Sequence, residues 1–134
     1  MFALTLGTGT CMGFPDVCLT PTPAGPVPIP YPNIAMSANC PNPTYNILME
    51  CAPTLNSMST VAMSNGNEPG TLGGVASHMI DGQGEFLVGS MTVMVDGVPL
   101  QRLTSMTGQN CMVKSLNAPG VCLVPSQFCV LVLG

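Results

Sequence analysis

Apolar residues in this chain come in short bursts, broken by proline, glycine and small polar residues, and the bursts have the length and β-branched content of strands. They predict strands near 2–6, 27–30, 45–49, 58–63, 85–88, 91–95, 98–103, 111–113, 121–124 and 128–133, with hardly any support for helix. Asp96-Gly97 lies between Val93-Met94-Val95 and Val98-Pro99, a strong signal for a two-residue hairpin turn. The same order of apolar triplet, acid, small residue, apolar residue and proline is present in Ile47-Leu48-Met49-Glu50-Cys51-Ala52-Pro53, so Glu50-Cys51 reads as a degraded copy of that turn. A second echo links Pro15-Asp16-Val17-Cys18-Leu19-Thr20-Pro21 to Pro119-Gly120-Val121-Cys122-Leu123-Val124-Pro125. Together the echoes predict repeated structural units.

Two segments need a different reading. In the stretch from Pro21 to Pro32, Val27, Ile29 and Tyr31 alternate with prolines. Proline cannot donate to a central ladder, so this predicts an extended edge segment with one apolar face. The stretch from Ser64 to Gly74 is rich in residues that tolerate positive φ and reads as the most flexible loop. It is no phosphate cradle, because no lysine stands near its glycines.

Composition sharpens the picture. Only 6% of the residues are charged, against about a quarter in an ordinary soluble domain, while 15 Gly and 14 Pro punctuate the chain. Order must then come from strands, tight turns and dense apolar packing, in one domain over residues 1–134. Arg102 and Lys114 face six acidic residues for a net charge of -4, which excludes the electrostatic footprint of a nucleic-acid binder. Mean hydropathy is +0.46, yet no run approaches the roughly 20 apolar residues of a membrane-spanning helix. The N-terminal residues lack the basic start of a secretory signal.

The seven cysteines (Cys11, Cys18, Cys40, Cys51, Cys111, Cys122, Cys129) include no C-x-x-C pair, so they read as mostly reduced, buried thiols acting as small hydrophobes. A catalytic reading would combine a cysteine with His78 and Asp81 or Glu85, a grouping that many sequences can supply. Glu50 and Asp96 hold equivalent turn positions and read as turn formers, not as an acid/base couple. A non-enzymatic protein is therefore expected. Tyr31 reads either as an interface anchor or as a core tyrosine with a bonded hydroxyl. Arg102 reads as surface-solvated or as a partner for Asp96 or Asp16.

Three segments resemble one family. Phe14-Pro15-Asp16-Val17-Cys18, with the run from Thr20 through Pro28-Ile29-Pro30-Tyr31-Pro32-Asn33 to Ile34, is similar to the signature of PAAR-like proteins of the Pro-Ile-Pro-Tyr type. Gly70 to Ser77 resembles their central glycine segment. Gly89 to Thr104 resembles the strand-turn-strand that names the proline-alanine-alanine-arginine repeat, with Pro99 and Arg102 in the outer places of the tetrad and Leu100 and Gln101 between them.

The resemblance implies an all-β, cone-shaped domain of short strands with pseudo-threefold organisation. Such a cone caps and sharpens the trimeric valine-glycine-repeat spike (VgrG) of a bacterial type VI secretion system. It implies a motif for spike interaction in Pro28, Ile29, Pro30, Tyr31, Pro99 and Arg102, and a separately encoded effector as a further partner. It also implies residence in the bacterial cytoplasm before assembly, then export through the apparatus without a signal peptide. A piercing tip passes through lipid, where each charge at mid-bilayer costs about 2.5 kcal/mol or more, and a charge-poor chain suits that passage. Many cones of the broader family hold zinc with three histidines and one cysteine; the lone His78 leaves no such site. No cofactor is expected, and the zinc alternative, a small Cys-rich metal-binding module, would draw on His78 with Cys18, Cys122 and Cys129.

Overall fold

A computed structural model describes residues 1–112 and 115–133. The described residues form strands joined by turns, with a single three-residue 3-10 turn at Ser37–Asn39 as the helical element among them. The strands are β1 (Thr10–Thr22), β2 (Gly25–Met36), β3 (Thr44–Met49), β4 (Ala52–Thr54), β5 (Thr60–Val61), β6 (Gln83–Phe86), β7 (Met94–Val95), β8 (Val98–Pro99), β9 (Met106–Cys111) and β10 (Ala118–Val124). One antiparallel sheet runs β2-β1-β10-β9-β6-β5, and β3-β4 and β7-β8 are separate two-stranded ribbons. The all-β reading holds.

Several boundaries differ from the expectation. The longest strand, β1, was not foreseen, because its prolines and its Gly13 look like loop residues. Residues 2–6 and 128–133 contribute only isolated bridges, Phe2 with Leu131, Ala3 with Arg102 and Thr5 with Thr54. The strand expected at 111–113 is instead Met106–Cys111, and Val113 lies outside the described residues, as does Lys114.

β1 and β2 form a long hairpin closed at Thr22 and Gly25. A bulge between Gly13 and Asp16 inserts Phe14 and Pro15 into β1. Buried positions on β1 are Cys11 and Gly13 before it but Asp16 and Cys18 after it. The bulge thus shifts the alternation by one residue and keeps both halves of the strand turned inward. The prolines of β2 obey the edge rule. Pro26, Pro28, Pro30 and Pro32 share the parity of Ile34, whose N–H points away from β1 to the Asn65 carbonyl at 2.7 Å, so none removes a rung between the two strands.

The first echo marks a real repeat. Both hairpins close through two residues of positive φ, Glu50 (53°) with Cys51 (63°) and Asp96 (56°) with Gly97 (77°), as the twist of a tight ribbon requires. Met49 pairs with Ala52 as Val95 pairs with Val98, and Leu48 with Pro53 as Met94 with Pro99. A third ribbon has the same register without a turn: Val132 and Met1 exchange backbone hydrogen bonds, and Leu131 pairs with Phe2.

These three ribbons close around a pseudo-threefold axis. Counting along each returning strand, Leu55, Gln101 and Leu4 are equivalent, and their backbones form a ring: Leu4 N–H to Gln101 at 2.9 Å, Gln101 N–H to Leu55 at 3.0 Å, and Leu55 N–H to Leu4 at 3.1 Å. A second ring runs from Leu6 N–H to Pro53, Ser57 N–H to Pro99 and Leu103 N–H to Phe2, at 2.8, 2.9 and 2.8 Å. The ribbons share one apolar core of Ala3, Val95, Leu100 and Val132, with Ile47, Met49, Val93 and Val130 packed against it. A second cluster, including Leu4, Cys11, Leu55, Phe86 and Cys122, lies under the large sheet. The second echo marks no repeat: 15–21 lies on β1 opposite β2, whereas 119–124 lies on β10, which pairs with the start of β1 and with β9.

Candidate functional site

The densest polar cluster surrounds Asp16, whose side chain is fully buried. The bulge in β1 turns this carboxylate inward, where amides from four distant segments meet it. Asn33 and Asn67 donate to Oδ2 at 2.8 and 2.7 Å, and Asn110 donates to Oδ1 at 3.2 Å. Asn117 donates to the same Oδ1, and the Cys18 thiol reaches it at 3.6 Å. A carboxylate has about four lone-pair sites, so these donors saturate it. Burying a carboxylate is costly unless hydrogen bonds replace its hydration, and here amides do so.

The same asparagines hold the surrounding backbone. The Oδ1 atoms of Asn67, Asn110 and Asn117 accept from the N–H groups of Asp81, Gly82 and Ala76. Asn33 also donates to Ser64 Oγ, which in turn donates to the Gly82 carbonyl. The segment from Ser64 to Gly74, expected to be flexible, is therefore tied down. It lines the second edge of β1 through Leu19 N–H to Gly73 (2.8 Å) and Val75 N–H to Val17 (3.0 Å). Gly74 packs so close to the Asn117 amide that an added Cβ would lie 2.4 Å from it, so a side chain at that position would push Asn117 away from Asp16.

The cysteines divide into three kinds. Cys11 and Cys122 form a disulfide, which corrects the expectation of free thiols at those two positions. Cys18, Cys40 and Cys111 are buried thiols, as expected, whereas Cys51 and Cys129 are exposed. Burial, reinforced by the charge of Asp16, pushes the Cys18 thiol up to about 11, and burial with the charge of Glu85 does the same for Cys111. Burial raises Cys40, and a hydrogen bond to Glu50, with that residue's charge, raises Cys129. A nucleophilic cysteine needs the opposite shift. The zinc set of His78, Cys18, Cys122 and Cys129 does not assemble: Cys122 is in the disulfide, Cys129 bonds Glu50, and no three His, Cys, Asp or Glu among the described residues gather to hold a metal ion.

A pH dependence follows from Cys18 and Cys111. An unfolded thiol releases its proton near 9.0, whereas these two hold theirs to about 11. Between those values the folded state binds more protons than the unfolded state, so stability falls as pH rises. Tm should therefore decline from pH 9 to 11, and Cys18→Ala should flatten the decline; an unchanged slope in that variant would contradict the assignment.

The motif residues are divided between sheets. Pro28 and Pro30 are exposed on β2, and Ile29 and Tyr31 are half-buried there, with the Tyr31 hydroxyl 2.7 Å from Thr20 Oγ1. Tyr31 is thus a tyrosine with its hydroxyl bonded. Pro99 lies in the second ribbon and accepts from Ser57 N–H, while Arg102 continues the strand and pairs with Ala3. The partners of Asp16 are amides and a thiol. Sequence reading missed the asparagines of this cage, since each alone resembles a turn residue.

A family model described as "Toxin PAAR-like domain" matches residues 9–120, which take in Asp16 and all four of its asparagines. The DNase toxin Tse7 of Pseudomonas aeruginosa is 35% identical over 104 residues, covering 72% of this chain and 27% of that protein. The chain thus spans about a quarter of that relative's length. No solved structure matches. With the family model covering most of its length, and with an all-β body around a bulged Asp16 strand, the chain belongs to the toxin PAAR-like family.

Proposed function

We propose that this chain is the structural tip that caps a trimeric VgrG spike in a type VI secretion apparatus. The observation that carries the reading is the pair of three-way backbone rings. A monomer seated coaxially on a homotrimer needs three similar faces, and these ribbons supply them. Family membership supports the same role. The few charges suit a body driven through lipid, and no helix of the described residues is long and apolar enough to cross a membrane by itself.

The reading is non-catalytic for this chain. Nuclease activity is named for a relative of which this chain matches a quarter, and the raised thiols and saturated Asp16 support a scaffold. The cross-links made by the Asp16 cage support a body that needs no metal cofactor. An effector would travel as a separate partner, and the tip would assemble in the bacterial cytoplasm before export.

The test is mass measurement of the chain mixed with a purified VgrG trimer from the same cell, together with elemental analysis and a DNA-cleavage assay on the chain alone. One chain per trimer, no stoichiometric zinc and intact DNA are expected. Absence of any complex would sink the capping role, and cleaved DNA would sink the non-catalytic one.

A further inference from the structure

The three ribbons carry the same apolar patch on their outer faces. In each, the first and third residues of an apolar triplet pack on the shared core, Ile47 and Met49, Val93 and Val95, Val130 and Val132. Alternation along a strand turns the middle residue outward. Leu48, Met94 and Leu131 are 60%, 62% and 57% exposed. Each has an apolar cross-strand neighbour, Pro53, Pro99 or Phe2. Such exposure is unremarkable for one residue, but three equivalent copies related by a pseudo-threefold axis form a pattern that marks an interaction surface.

We propose that Leu48, Met94 and Leu131 are the three contact points through which this domain docks on its trimer, one for each subunit. The inference rests on the capping role and adds its geometry. The occupant is a homotrimer with an apolar, threefold-symmetric end, because only a symmetric partner uses the equivalence of the three positions. A lipid surface would use apolar exposure without regard to symmetry. Pro28 to Tyr31, by contrast, occur once, on the edge of the large sheet, and have no counterparts around the axis.

Leu48→Asp, Met94→Asp and Leu131→Asp, singly and combined, test this against the VgrG trimer, with circular dichroism verifying that each variant remains folded. Val27→Asp and Leu123→Asp, at exposed apolar positions of the large sheet, serve as comparisons. Each single ribbon variant should weaken binding by about tenfold or more, to similar extents, and the triple variant should abolish it. The comparison variants should bind as the parent does. Parent-like binding by the triple variant, or weakening confined to Val27→Asp or Leu123→Asp, would overturn the docking face while leaving the capping role intact. Failure of the unsubstituted chain to bind would overturn both. Phosphatidylcholine vesicles provide a further arm: loss of vesicle binding in the triple variant with trimer binding retained would assign the patches to lipid.

Discussion

Asp16→Asn is expected to lower Tm by about 10–20 °C or to prevent folding altogether. The substitution keeps size and shape but replaces one acceptor oxygen by an NH2 group that faces other NH2 groups. The Asp16 oxygens accept from Asn33, Asn67, Asn110 and Asn117, so at least two amides lose their acceptor. Each buried donor left unpaired costs about 1–3 kcal/mol, and the summed loss of about 3–5 kcal/mol approaches the whole stability of many domains. At this chain length each kcal/mol is worth about 4 °C. Replacing one asparagine, as in Asn67→Ala, removes one amide donor from a carboxylate that keeps three others and one acceptor from the Asp81 N–H, and should cost about 2–3 kcal/mol. Thermal unfolding of both variants measures the contrast. A Tm for Asp16→Asn within a few degrees of the parent would mean that the cage is not what binds the segment from Ser64 to Gly82 to β1.

Parts of this architecture were legible because their signals are local. Asp96-Gly97 specifies its turn by itself, and Glu50-Cys51 became readable by comparison with it. The prolines of β2 identify an edge strand because each missing N–H constrains its own position. The Asp16 cage was not legible, since its asparagines come from positions 33, 67, 110 and 117, and nothing near any one of them announces the others. The third ribbon was half legible. Val130-Leu131-Val132 has the apolar triplet of the first two, but the strand beside it is Met1, Phe2 and Ala3, from the far end of the sequence. Cys11 and Cys122 posed the same difficulty, being 111 residues apart but directly opposed on β1 and β10. The resemblance to a family brought the threefold expectation that local pattern could not complete.

Reducing the Cys11–Cys122 bond should lower Tm by about 10 °C, and the loss should be concentrated in the third ribbon. A cross-link closing a loop of about 100 residues removes up to about 4.7 kcal/mol of unfolded-state entropy in the chain model, and measured losses are typically about 2–4 kcal/mol. The two cysteines are buried within the cluster that holds Leu4, Leu55 and Phe86, so the reduced thiols remain as packed apolar groups and the bond itself accounts for the difference. The placement matters more than the size. The first two ribbons are each closed by a two-residue turn, whereas the arms of the third belong to residues 1–3 and 130–132. β1 begins shortly after the first arm and β10 ends shortly before the second, so the disulfide ties both arms together by a short path. Without it, this ribbon closes through more than a hundred residues while its two equivalents do not. Hydrogen exchange at Ala3 and Val132 should therefore rise on reduction well before it rises at Leu100, whose N–H bonds the Val93 carbonyl within the second ribbon. In Cys11→Ala/Cys122→Ala, Tm should be low and unaffected by reductant. Equal acceleration in all three ribbons would show that the bond stabilises the domain only globally. An unchanged Tm in fully reduced protein would remove the disulfide from the account of stability altogether.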